Sequence, residues 1–235
     1  EWKLKSVSTA ENTRIARVTP LENPAVNGPW ICNKGRDLAD LFERPRVTTA
    51  RVAGQPATLE DAVAAARRLI ATARQPVALV SSRGSNEELD AFHHHFAGRF
   101  PSFVKQDHAP RDGEVLEDRL LIRADKNPNG RRARELFGAA SPSFPPGTDL
   151  VLDWGEGTDP GALPAGAKLV SVASFAAASH ARADVLLPVS TQLERDGHYT
   201  NFEGVVSAFE ACFPRPAGVA DAEALFAQLA ARDAA

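Results

Sequence analysis

The stretch Val77-Ala78-Leu79-Val80-Ser81-Ser82-Arg83-Gly84-Ser85-Asn86-Glu87-Glu88 decides the fold. Its first residues form a short apolar run, of the length and composition of a buried strand. Ser85 then supplies an N-cap hydroxyl and Glu87 and Glu88 put acidic groups in a first helical turn, where the helix dipole favours them. The reading is one strand-turn-helix unit, with the helix expected to run through about Phe100.

Working outward, the same rhythm repeats. Upstream, Thr58-Leu59-Glu60-Asp61 opens another helix, with Val63, Ala66, Leu69 and Ile70 on one face. Downstream, Leu120-Leu121-Ile122 is a further short apolar run, and Arg131 to Phe137 is expected to be helical ahead of a proline-rich break at residues 141–147. Asp149-Leu150-Val151-Leu152-Asp153-Trp154 and Lys168-Leu169-Val170-Ser171-Val172 predict two strands joined by a Gly- and Pro-rich loop. Ala183 to Pro188 predicts a last buried strand, and Asp221 to Ala231 a closing amphipathic helix that turns Ala222, Leu225, Phe226 and Leu229 inward. Apolar strands alternating with helices predict an α/β fold, a Rossmann-like parallel sheet with helices on both faces, over residues 53–235. Residues 1–52 carry the short β-prone runs Trp2-Lys3-Leu4 and Arg14 to Val18, broken by Pro20, Pro24, Gly28 and Pro29. They predict a small irregular β module.

Composition narrows the function. With 43% hydrophobic and 24% charged residues, the chain has enough apolar material for a packed core. A net charge of -3 with dispersed basic residues offers no field to attract a phosphate backbone, so nucleic acid is not an expected partner. No apolar run approaches the roughly 18 residues of a membrane span, and the N-terminus lacks the pattern of a secretory leader, so the expected location is cytoplasmic. The sequence holds two cysteines, Cys32 and Cys212, and no methionine. The cysteines are too far apart for a close-spaced metal or disulfide motif, and the absence of methionine reads as a segment of a longer polypeptide.

Several constellations could carry chemistry. The loop Ser81 to Asn86 follows a strand and opens a helix, where free backbone N–H groups and the dipole could hold an anion. It has a single glycine, Gly84, against the several of a dinucleotide fingerprint, and its plain reading is a helix cap. The loop Trp154-Gly155-Glu156-Gly157-Thr158-Asp159-Pro160-Gly161 could admit a ligand to the carboxyl edge of the sheet beside Gly155, or be an ordinary turn. His93-His94-His95 fans out on a helix, about 100° per residue, and cannot converge on one ion. Arg195-Asp196-Gly197-His198 pairs an acid with a base but has no adjacent nucleophile, and reads as a turn. Cys32, in Trp30-Ile31-Cys32-Asn33-Lys34-Gly35-Arg36, cannot by itself hold an iron-sulfur cluster, and Cys212 reads as packed.

Taken in order, these segments resemble the molybdopterin-oxidoreductase-like region of the large iron-sulfur subunit of NADH:quinone oxidoreductase, respiratory complex I, and its relatives in formate dehydrogenases. Glu1 to Val7 is similar to the segment that opens this region after the ferredoxin-like domains. Arg17 to Pro24, followed by Val26 to Arg36, is similar to the stretch bearing the last cysteine of a 4Fe-4S cluster, which marks Cys32 as a remnant ligand because Ser6 to Thr13 holds no companion cysteine. Leu121 to Asn129, Ala183 to Pro188, Glu194-Arg195-Asp196-Gly197 and Asn201-Phe202-Glu203-Gly204-Val205-Val206 complete the likeness. In catalytic relatives the last element ends in arginine beside the pterin, where Val205 stands here.

The resemblance implies a non-catalytic structural region of an NADH-dehydrogenase-type electron-transfer subunit, with no activity of its own and no catalytic residue. It would bind no cofactor itself, with 2Fe-2S and 4Fe-4S clusters in upstream domains or neighbouring subunits. Its partners would be the other subunits of such a complex, at the cytoplasmic face of the inner membrane. Two alternatives stand beside it. One is a molybdopterin-binding part of an NAD-linked formate dehydrogenase-type enzyme, with Gly84 and Gly155 lining molybdopterin guanine dinucleotide. The other is a free-standing interaction module.

Overall fold

The computed structural model describes residue 15 and residues 17–36, 38–105, 112–115, 117–119 and 123–231. The runs Trp2-Lys3-Leu4 and Leu120-Leu121-Ile122, and the cysteine-free stretch Ser6 to Thr13, lie outside the described residues. The chain divides into two compact units, Glu1–Pro45 and Arg46–Ala235. This division falls before the 52/53 boundary expected from the sequence, because Arg51 and Val52 pair with Leu186 and Val185 and so belong to the main sheet.

In the first unit, the described residues form no β module. Asn23 and Gly28 make a single antiparallel bridge around a turn, and two short helical segments follow, Asn33–Arg36 and Leu38–Phe42. Asn27 stitches the turn by donating from Nδ2 to the carbonyls of Leu21 (3.1 Å) and Trp30 (2.8 Å). The prolines at 20, 24 and 29 remove backbone donors that a ladder would need, which is why side-chain bonds take over here.

The second unit is a seven-stranded mixed sheet of the Rossmann-like α/β type, with a separate two-stranded hairpin. Its elements in chain order are β1 (Arg51–Val52), β2 (Gln55–Pro56), α1 (Leu59–Thr72), β3 (Pro76–Val80), α2 (Asn86–Phe96), β4 (Ser102–Val104), α3 (Gly130–Phe137), β5 (Leu150–Trp154), β6 (Lys168–Ala173), a 3-10 turn (Ala178–Arg182), β7 (Val185–Pro188), β8 (Gly197–Thr200), β9 (Val206–Phe209) and α4 (Ala222–Ala230). Across the sheet the order is β2-β1-β7-β6-β5-β3-β4. The five strands from β7 to β4 are parallel, and the β1–β2 edge is antiparallel.

Local chemistry sets these boundaries. Thr58 caps α1 by accepting from the Asp61 N–H (3.1 Å), and Asp221 caps α4 by accepting from the Ala224 N–H (3.0 Å). Ser85 and Glu88 form a reciprocal capping box on α2. That helix stops at Phe96, short of Phe100. Asp149 accepts from the N–H groups of Arg74 (2.8 Å) and Gln75 (2.9 Å), tying the entry of β3 to that of β5, and these two bonds hold its carboxyl below the usual range.

Alternation along the strands splits the core. Ala78, Val80, Leu152, Trp154, Val170 and Val172 face one way, into a large cluster with Phe92, Phe96, Leu225, Phe226 and the apolar stripes of α1, α2 and α4. Phe92 sits at its centre, its ring 5.5 Å from Trp154 in a stacked pair and 5.0 Å from Phe226 edge-on. Val77, Leu79, Val151 and Leu169 face the other way, where Leu163, Phe144 and Ala183 from the connecting segments pack on them. Full burial of each such aliphatic or aromatic side chain is worth roughly 1.5–3 kcal/mol.

Candidate functional site

The parallel strands run β4-β3-β5-β6-β7, so the chain leaves β3 to one side for β4 and then crosses to the other side for β5. Such a reversal opens a crevice at the carboxyl ends of the two flanking strands, the usual ligand position in open α/β sheets. Here the crevice lies between the loops that follow β3 and β5. Those loops carry Gly84 and Gly155, so the fold brings together the two positions that the sequence singled out.

Both glycines are required by the chain's own packing. A Cβ at Gly84 would overlap the Trp154 indole, and one at Gly155 would lie 2.7 Å from the Ser81 Cβ. Gly155 also has φ +86°, a left-handed conformation that favours glycine. Gly84→Ala is therefore expected to lower stability by about 1–3 kcal/mol through overpacking. Urea unfolding followed by Trp154 fluorescence would measure the loss.

The N-terminus of α2 is already occupied by a carboxyl group of its own, Glu88. Glu88 Oε2 accepts from the Ser85 N–H (2.8 Å) and from Arg195 Nη2 (2.7 Å), and the Glu88 N–H donates to Ser85 Oγ (3.2 Å). Burial pushes the Glu88 carboxyl up to about 7, against the pull of Arg195 and the Ser85 N–H. Arg195 Nη1 donates to the Ser190 carbonyl at 2.7 Å. The hairpin of β8 and β9 is fastened to the same place. Tyr199 donates its hydroxyl to the Arg83 carbonyl (3.0 Å), Thr200 N–H donates to Asn129 Oδ1 (3.0 Å), and Asn129 Nδ2 donates to the Gly84 carbonyl (2.9 Å). Burial raises the Tyr199 hydroxyl to about 12, so it serves as a donor at any ordinary pH.

The neighbouring side of the crevice is closed by an ion pair. Lys105, just past β4, reaches Asp153 Oδ1 at 2.6 Å and also donates to the Gly155 carbonyl (3.0 Å) and to Thr158 Oγ1 (3.1 Å). Both side chains are at most 5% exposed. Thr158 donates to the same Asp153 oxygen at 2.9 Å. Glu156 accepts from the N–H groups of Ser174 (3.1 Å) and Phe175 (2.9 Å), which fixes the loop after β5 onto the end of β6.

A dinucleotide needs free N–H groups and open space beside these glycines. Trp154 fills the space at Gly84, and Glu88 takes the Ser85 N–H. The arrangement does not fit a pterin nucleotide laid across the two loops.

The other residues picked out by sequence fall elsewhere. Cys32 is exposed in the first unit and its sulfur accepts from the Gly35 N–H at 3.3 Å. Cys212 is exposed, not packed. Among the described residues no three His, Cys, Asp or Glu side chains are grouped to hold a metal ion. His94 and His95 touch each other, and His93 lies edge-on to Phe137, so the triplet spreads around α2. Arg195 and Asp196 precede β8, and Gly197 and His198 begin it. His198 makes contacts of 2.6 and 3.0 Å with the Glu87 carboxylate. Val205 closes the tight turn between β8 and β9, where its N–H and that of Glu203 both donate to Asn201 Oδ1 (2.9 Å each).

Sequence reasoning missed Lys105, Asp153 and the Glu88–Arg195 pair. One signal was present: Asp153 interrupts the apolar run Leu150-Val151-Leu152, and a charge inside a fully buried strand requires a partner. No helix among the described residues is long and apolar enough to cross a membrane. The chain matches no protein-family model and no curated protein sequence.

Proposed function

We propose that this chain is a non-catalytic structural region of an NADH-dehydrogenase-type electron-transfer subunit, supporting neighbouring iron-sulfur domains and packing against other subunits. One observation carries the reading: the switch-point crevice, where a relative with a live cofactor would hold a nucleotide, is filled by Trp154, the Lys105–Asp153 pair and the Glu88–Arg195 pair. Side chains that interlock across β3, β5 and the hairpin favour a rigid body over a site that must open for a ligand. The likeness of Glu194 to Gly197 and Asn201 to Val206 to the complex I region supplies the parent assembly, and Val205 stands where a pterin-binding relative has arginine.

Native mass spectrometry of the complex purified from its source, with metal analysis of the same sample, tests the proposal. The expected result is a complex containing flavoprotein and iron-sulfur partners, with no molybdenum or tungsten assigned to this chain. A chain that runs alone would sink the assembly, leaving the free-standing module as the reading. Stoichiometric molybdenum or tungsten on this chain would replace the scaffold with the formate dehydrogenase-type enzyme.

A further inference from the structure

Behind the Lys105–Asp153 pair, on the sheet face that the connecting segments cover, buried polar atoms remain without partners. Asp153 is fully buried, and both bonds it accepts go to Oδ1. Among the described residues none donates to Oδ2. Ser171 lies directly opposite Asp153 in the parallel register of β5 and β6 and is also fully buried. By strand alternation it shares a face with Leu169, as Asp153 does with Val151. Its Oγ likewise has no partner among the described residues.

A third group comes from the 3-10 turn that precedes β7. His180 Nδ1 accepts from the Ala177 N–H at 3.2 Å, so in the neutral ring the proton sits on Nε2. That nitrogen is buried and makes no hydrogen bond among the described residues. Burial holds the His180 pKa below its usual value, and the charges of Asp153, Glu156 and Lys105 all act on the ring.

The three residues therefore offer one carboxylate acceptor, one N–H donor and one hydroxyl able to do either. Left unsatisfied, each such group would bear the full cost of its removal from water. A guest that serves all three must be small, uncharged, and both donor and acceptor. Water has that chemistry, and buried waters typically make about three bonds to otherwise unsatisfied polar groups.

We infer that Asp153, Ser171 and His180 enclose a binding site for a structural water, which joins the 3-10 turn to the buried Lys105–Asp153 ion pair. The inference concerns the second unit alone and stands whether or not the scaffold reading holds. It gives the covered face of the sheet a polar keystone, and it accounts for a charged residue and a serine at adjacent strand positions that would otherwise be apolar.

High-resolution diffraction from crystals of the full chain tests this, with Ser171→Val as a second crystal. The expected wild-type map has a discrete density peak within hydrogen-bond reach of Asp153 Oδ2 and of His180 Nε2. The valine methyls should displace that peak, and the midpoint of thermal unfolding should fall. The inference is overturned if the wild-type map has His180 Nε2 or Ser171 Oγ bonded directly to Asp153 Oδ2 with no peak between them. It is also overturned if the peak persists unchanged in the variant. Should Ser171→Val fail to fold, the wild-type map alone decides.

Discussion

Lys105→Met is expected to destabilise the protein by about 3–5 kcal/mol, because it removes one partner of a buried ion pair and strands the other. Asp153 has no exposure to bulk solvent, and with Lys105 gone its carboxylate keeps, among the described residues, only the Thr158 hydroxyl as a donor. The carbonyl of Gly155 and the hydroxyl of Thr158 would each lose a bond from the ammonium as well. The double variant Lys105→Met/Asp153→Leu should recover most of the loss, since replacing both charges with apolar groups avoids their desolvation. Guanidinium unfolding of the two variants against the parent measures the difference. If Lys105→Met unfolds like the parent, the pair does not close the crevice, and the scaffold reading loses part of its basis.

The second large effect is a dependence on pH that runs opposite to that of most carboxylates. Glu88 has a folded pKa of about 7 against an ordinary 4.5, so between those values the folded chain keeps a proton that the unfolded chain has released. Stability from this group is fully present below pH 4.5 and is lost as pH rises through 7. At about 1.4 kcal/mol per pKa unit, the loss across that window is about 3 kcal/mol. Glu88→Gln carries a similar shape with no charge to titrate. The stability of the parent minus that of Glu88→Gln should therefore fall between pH 4.5 and 8. A difference that stays level would mean that Arg195 and the Ser85 N–H overcome burial and keep the carboxylate ionised throughout. His180 works in the other direction, since its lowered pKa makes the fold lose stability as pH falls below 6.5. The Glu88→Gln comparison cancels that contribution.

Both effects arise at residues whose importance came from the fold. Glu88 was legible only as a helix-capping acid, which it is. Its partner Arg195 lies far along the chain, and no local pattern joins them. Lys105 and Asp153 are separated by 48 positions and meet only because β4 and β5 flank β3 in one sheet. Gly84 and Gly155 were each legible as loop glycines after strands. That Trp154 lies against the first, and Ser81 against the second, depends on the same strand neighbours.

The strands that went unread have physical reasons too. β4 is three residues of partial burial at the sheet edge, too short for a period to register. β1 and β2 are two residues each and exist by pairing with β7 and with each other. Gly197 to Thr200 carries no apolar run. It becomes β8 by antiparallel pairing with β9 and by the side-chain bonds that fasten it to the start of α2. In the first unit, the β-prone runs at residues 2–4 and 14–18 lie largely outside the described residues, and the turn from Asn23 to Gly28 is held by the bonds of Asn27.

What the sequence by itself determined is the Rossmann-like α/β class and its main elements. The apolar runs of β3, β5, β6 and β7 and the capped stripes of α1, α2 and α4 are short-range patterns, written in consecutive residues and sufficient to choose strand or helix. Tertiary structure alone decided the strand order, the side of the sheet each charge faces, and which buried group meets which. Those outcomes depend on contacts between residues far apart in the chain, whose energies exist only once the sheet has formed.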